Sequence, residues 1–89
     1  MTRTAEDLAL YFFHGCPYCE RVLRALAELD LKLELRDVRA QPDHRAELRA
    51  ARGRGTVPVL RIAGPDGAVT WMPESKDIVR YLEERFGEG

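Results

Sequence analysis

LALYFFHGCPYCERVLRALAEL, Leu8 to Leu29, is the stretch whose reading decides the fold. Leu8 to Phe13 is a near-continuous apolar run, the pattern of a strand buried on both faces. After Cys16-Pro17-Tyr18-Cys19 the apolar period changes. Cys19, Val22, Leu23, Leu26 and Leu29 recur at three- and four-residue steps, which predicts a helix with one buried stripe. Glu20, Arg24 and Glu28 run along the opposite face at i, i+4 spacing, where opposite charges pair in water. A strand running straight into a helix sets up a βαβ unit.

Cys16 and Cys19 are the two cysteines of the chain, and both fall at the first turn of that helix. Pro17 suits the first helical position, where the missing N–H would have had no partner in any case. Backbone N–H groups at a helix start lack intrahelical acceptors, and the summed peptide dipoles place partial positive charge there. A thiolate at Cys16 is therefore expected, which makes it a nucleophile. Cys19, one turn further in, can approach the Cys16 sulfur, so the pair reads as attacker and resolver. A zinc reading competes, because His14, Cys16 and Cys19 form an HxCxxC cluster that His44 could complete. Structural zinc sites more often carry two such pairs, so no metal site is expected.

The 89 residues suit one domain over 1–89, small enough for a modest core yet able to fold alone. A formal charge of −1, with 15 acidic residues interspersed among the basic ones, argues against a nucleic-acid partner. No apolar run approaches the roughly 18 residues that span a bilayer, and MTRTAEDL lacks the apolar segment of a secretory signal. A cytoplasmic location with no membrane partner is the expectation. There a CxxC pair is redox-active or metal-binding more often than a structural disulfide.

Outward from the opening stretch, Met1 to Asp7 reads as a polar lead-in. Leu31 to Val38 alternates apolar and charged residues, placing Leu31, Leu33 and Leu35 on one face of a strand near the sheet edge. Gln41-Pro42-Asp43 opens a second helix that runs to about Arg52 and stops at Gly53. Its apolar residues are only Ala46, Leu48, Ala50 and Ala51, so it is expected to be the most loosely held. Thr56 to Ile62 reads as a strand, with Pro58 implying an edge or a special bend because proline cannot donate to a ladder. Gly64-Pro65-Asp66-Gly67 turns it into an antiparallel partner, Ala68 to Met72. A last helix follows Pro73-Glu74-Ser75, with Ile78, Val79, Leu82 and Phe86 on one face and Gly87 at its end. The order β-α-β-α-β-β-α predicts an α/β fold, a four-stranded mixed sheet flanked by three helices.

CPYC after such a strand resembles the active site of glutaredoxins, and the element order is the thioredoxin-like fold of that family. The resemblance covers essentially the whole chain. It implies a glutathione-dependent thiol-disulfide oxidoreductase acting on protein disulfides and glutathione mixed disulfides. Cys16 and Cys19 would be catalytic, with Tyr18 flanking them. Thr56-Val57-Pro58 resembles the family's TVP loop, in which the proline is cis and the preceding residue pairs with the cysteinyl backbone of glutathione like an added strand. Glu74-Ser75 would hold the γ-glutamyl end at a helix start, where anions are stabilised. On a purely structural reading Ser75 is only a helix cap. Pro73-Glu74-Ser75 departs from the Gly-Gly-acidic pattern of common glutaredoxins and looks like the N-terminal domain of glutathione transferases. Arg54, with Arg52 as the alternative, would take the glycine carboxylate. Phe13 stands where many family members carry a basic residue, so the acidity of Cys16 would rest on the helix terminus.

The expected co-substrate is glutathione, with no tightly bound cofactor. The expected partners are glutathionylated or disulfide-containing proteins and a separate NADPH-dependent reductase system, the chain itself being a monomer. Two other readings stay open. Cys16 could ligate an iron–sulfur cluster bridged between protomers, or the chain could be a transferase-like glutathione-binding domain whose helical second domain is a separate chain.

Overall fold

The apolar run becomes an inner strand of a four-stranded sheet. In the computed structural model, which describes residues 3–87, the order is β1 (Arg3–Phe12), α1 (Pro17–Glu28), β2 (Leu31–Asp37), α2 (Pro42–Arg52), β3 (Val59–Ala63), β4 (Val69–Met72) and α3 (Ser75–Phe86). The strands lie in the order β2-β1-β3-β4. β1 runs parallel to β2 and antiparallel to β3, and β3 pairs antiparallel with β4. This is the expected thioredoxin-like architecture, with the crossover through α1 supplying the parallel pair.

Because Leu8 to Phe12 lie between two neighbouring strands and under helices, all five are at most 3% exposed. Alternation splits them between the faces. Leu10 belongs to the core that Cys19, Val22 and Leu26 of α1 share with Ile78 and Leu82 of α3, and α1 packs beside α3. Tyr11 faces the other way, its ring against His44 of α2 and Trp71 of β4. Its hydroxyl accepts from Arg36 Nη1 at 2.6 Å and donates to Glu47 Oε1 at 3.3 Å. α2 carries one buried residue, Leu48, in keeping with its sparse apolar content.

Several boundaries differ from expectation. Arg3–Asp7 is the first half of β1 rather than a lead-in; Met1 and Thr2 lie outside the described residues. Arg3 and Thr4 pair with Leu31 and Lys32, and the register with β2 shifts before Ala9. β3 begins only at Val59, because Pro58 has no N–H for a ladder and the Val57–Pro58 bond is cis. The bend, not an edge, is the meaning of that proline, since β3 is an inner strand. Along β2, burial fades from Leu31 at 5% to Leu35 at 49%, so the leucines do not form one covered face on this outermost strand. Gly53 ends α2 at φ +75, the left-handed turn that glycine adopts without a Cβ penalty.

Candidate functional site

Cys16 is the N-cap of α1, in extended geometry at φ −84 and ψ 120, and Pro17 opens the helix. Tyr11 to Phe12 end the strand, and Gly15 at φ +94 turns the chain from strand to helix. Its N–H donates to Glu20 Oε1 at 3.4 Å, one turn into α1. Cys16 is 8% exposed and Cys19 is fully buried, and the two are not joined in a disulfide. Burial first, then the S–H contact with Cys16, pushes the Cys19 thiol up to about 12, against the lowering effect of a hydrogen bond from the Phe13 backbone. Cys19 therefore keeps its proton at neutral pH.

Beside the start of α1 lies a cavity of about 420 Å³, in the range that holds small ligands. α1 contributes Tyr18 and Arg21 to its wall. The end of α2 and the loop behind it contribute Arg52, Arg54, Thr56, Val57 and Pro58. Glu74, Ser75 and Lys76 close it at the start of α3. The seven residues Tyr18, Arg54, Thr56, Val57, Pro58, Glu74 and Ser75, singled out from sequence, thus meet on one surface. Neither cysteine is part of the cavity wall. Cys16 lies two residues before Tyr18, at the foot of the helix that supplies one side.

Two backbone features shape this wall. The amide and carbonyl of Val57 take part in no backbone hydrogen bond among the described residues, because the β1–β3 ladder stops at Val59. Glu74 sits at φ +68 and ψ 112, a conformation that costs an L-residue roughly 1–3 kcal/mol and clusters at functional sites. It is the N-cap of α3, yet its side chain makes no capping bond. The first N–H groups of α3 are therefore left for an outside acceptor. Ser75 is not the cap; it is the first helical residue, 6% exposed, and its Oγ accepts from Arg21 Nη1 at 3.5 Å.

Arg21 and Lys76 were not anticipated. Arg21 sits beside Glu20 on what reads as the wet side of α1, and only the packing of α1 beside α3 turns it towards Ser75. With Arg52 and Arg54 they make four cations around one carboxylate, Glu74. The wall thus favours a ligand with more negative than positive groups. The zinc arrangement does not assemble: among the described residues no three His, Cys, Asp or Glu side chains are placed to hold a metal ion. His14 is instead 3.9 Å from Asp37 and edge-on to Phe12, while His44 bonds Glu47 at 3.1 Å.

No curated protein matches the chain. Among solved structures, a glutathione transferase homolog from Drosophila mojavensis with bound glutathione superposes with a TM-score of 0.75 at 22% identity. That match covers 94% of this chain and 37% of the other. An epsilon-class glutathione S-transferase from the housefly, Musca domestica, gives 0.68 at 27% identity, covering 92% and 36%. A maleylacetoacetate isomerase from Anaeromyxobacter dehalogenans 2CP-1, solved with dicarboxyethyl glutathione and citrate in the active site, gives 0.68 at 31%, covering 92% and 38%. The chain thus spans little more than a third of the length of each. Residues 10–89, from the middle of β1 through α3, match the family described as glutathione S-transferase, N-terminal domain, and the chain belongs to that family.

Proposed function

We propose that the domain binds glutathione in this cavity and carries out glutathione-dependent thiol-disulfide exchange through Cys16. The supporting observation is the convergence of Tyr18, Arg54, Thr56, Val57, Pro58, Glu74 and Ser75 on one surface beside the Cys16 helix start. In this reading the unpaired amide and carbonyl of Val57 pair with the cysteinyl residue of glutathione as an added strand would. The γ-glutamyl carboxylate lies at the open N-terminus of α3, and Glu74 accepts from its ammonium. Arg54 or Arg52 takes the glycine carboxylate, and Arg21 holds Ser75 in place.

Cys16, as thiolate, attacks the glutathione sulfur of a mixed disulfide. The S–S bond breaks towards the substrate, which leaves as a thiolate and takes a proton from water. Cys16 is left glutathionylated. A second glutathione thiolate then attacks the glutathione sulfur of that adduct, giving glutathione disulfide and regenerating Cys16. A separate NADPH-dependent reductase would restore the glutathione. In this reading the second glutathione, arriving from solvent, is the resolving thiol, while Cys19 is fully buried. Turnover of a small glutathione mixed disulfide, coupled to NADPH oxidation, tests this. Cys16→Ser is expected to abolish turnover and Cys19→Ser to retain most of it; undiminished turnover in Cys16→Ser overturns the assignment.

Family membership and the Pro73-Glu74-Ser75 turn favour a second reading, in which the bound glutathione is itself the nucleophile towards an electrophile. Conjugation of glutathione to an aryl chloride, followed by absorbance, separates the two. Conjugation that survives Cys16→Ser while disulfide reduction is absent from the wild type supports the transferase reading.

A further inference from the structure

Glutathione carries two carboxylates and one ammonium, and Lys76 with the α3 start, Arg52 or Arg54, and Glu74 match those three groups. The basic surface does not stop there. Gly55 joins Arg54 to Thr56, and a Cβ on it would lie 3.3 Å from Arg49 Nε and 3.7 Å from Arg45 Nε. Two guanidiniums from successive turns of α2 therefore lean over the residue that leads into the cavity. Both side chains are exposed, and among the described residues no carboxylate lies within 4.0 Å of Arg45, Arg49, Arg52 or Arg54.

Like charges at i, i+4 oppose each other, which is a cost to the helix. The negative C-terminal end of α2 accounts for Arg49 and Arg52. It does not account for Arg45, at the positive end of the helix, or for Arg54, beyond its terminus. Neither acid of α2 offsets the row: Glu47, two residues from both Arg45 and Arg49, falls on the opposite side of the helix, where it meets Tyr11, His44 and Arg36, and Asp43 in the first turn is not three or four residues from either arginine.

We propose that Arg45 and Arg49, continued by whichever of Arg52 and Arg54 does not hold the glycine carboxylate, form a docking strip for an acidic protein segment, so that the preferred substrate is a glutathionylated cysteine flanked by aspartate and glutamate. The inference rests on the thiol-disulfide reading above and names its substrate class. The glutathione half of the mixed disulfide fills the cavity while the acidic flank lies along α2. Exchange at Cys16 then releases the partner as its reduced thiol, and the one free glutathione that resolves the adduct is oxidised as it joins the transferred glutathione in glutathione disulfide. Charge complementarity of this kind acts mainly on capture, so it is screened by salt.

Glutathionylated peptides of one length, with acidic, neutral or basic flanks, provide the test by NADPH-coupled turnover. In the wild type, kcat/KM for the acidic peptide is expected to exceed the neutral one by about tenfold at low ionic strength and to approach it at about 0.2 M salt. Arg45→Glu with Arg49→Glu removes that advantage and leaves the neutral peptide unchanged; the corresponding double Lys variant keeps most of it. Equal turnover of acidic and neutral peptides by the wild type, or a preference that survives the Glu variant, overturns the docking strip. Turnover of none of the peptides overturns the thiol-disulfide reading. The strip is then decided by fluorescence anisotropy with a dye-labelled acidic peptide lacking cysteine. Binding lost in the Glu variant supports it, and no binding, or tighter binding of an oligonucleotide of equal charge, overturns it.

Discussion

At the scale of single residues, the two thiols of the CPYC turn differ through their surroundings. Cys19 is fully buried on the inner face of α1 and its thiol is pushed up to about 12, so it remains protonated well above neutral pH. Iodoacetamide at pH 8 is therefore expected to modify one cysteine in the folded protein and the second only after denaturation, as intact mass would show. Two equivalents taken up by the native protein at equal rates would contradict this. Glu74 offers a separate test. Glycine tolerates φ +68 without a Cβ clash, so Glu74→Gly relieves strain while adding backbone entropy to the unfolded chain. Stability by urea denaturation should hold or rise, by up to about 1 kcal/mol, while glutathione affinity measured by calorimetry falls. A parallel loss of both would mean that the side chain, not the backbone geometry, supports the α3 start.

At the scale of elements, α2 buries the fewest side chains of the three helices and flanks the cavity. Leu48 is its one buried side chain, and the Tyr11–Glu47 and Arg36–Glu47 contacts tether it to β1 and β2. Leu48→Ala should cost about 2–4 kcal/mol in global stability through the cavity it leaves. Hydrogen exchange is expected to show α2 opening before the sheet; protection lost uniformly across all elements would mean that α2 opens only with the whole core. The helices were legible in the sequence because each is amphipathic and each start carries proline or a turn signal. The first half of β1 was not, because Arg3, Thr4, Glu6 and Asp7 are polar around a single buried Ala5, and the segment is held in the strand by pairing with β2 and by the Arg85–Asp7 ion pair from α3, at 2.9 Å. No local pattern encodes a partner strand almost thirty residues away.

At the scale of the whole molecule, charge couples stability to pH on both sides of neutrality. Asp7, Glu34, Asp37 and Glu47 all hold their protons less readily than usual. The leading causes are hydrogen bonds from Arg85 to Asp7, from Arg36 to Glu34, from the Ala40 backbone to Asp37, and from His44 to Glu47. A carboxylate with a lowered folded pKa stabilises the fold above its ordinary value, 3.8 for Asp and 4.5 for Glu, and that contribution is lost as pH falls through the folded value. Glu34 and Glu47 are exposed and Asp7 and Asp37 half-buried, all within reach of solvent, so each contributes little, and the expected result is a gradual acid limb in the urea midpoint that flattens with salt. On the alkaline side, burial raises Cys19 and Tyr11, so their contribution is complete below the ordinary values of 9.0 and 10.0 and is lost as pH climbs through the folded ones. Cys19→Ser should remove part of that alkaline limb, and an unchanged limb would argue against a buried thiol. The amino-acid order by itself determined the three helices, the strand run from Leu8, the CPYC turn and the Thr56-Val57-Pro58 bend, because periodicity and turn chemistry are local. Only the tertiary structure decided that Arg21 meets Ser75, that Lys76 joins the wall, and that Arg45 and Arg49 lean over Gly55. Those contacts depend on how α1, α2 and α3 sit on one twisted sheet, a three-dimensional relation that no short window of residues contains.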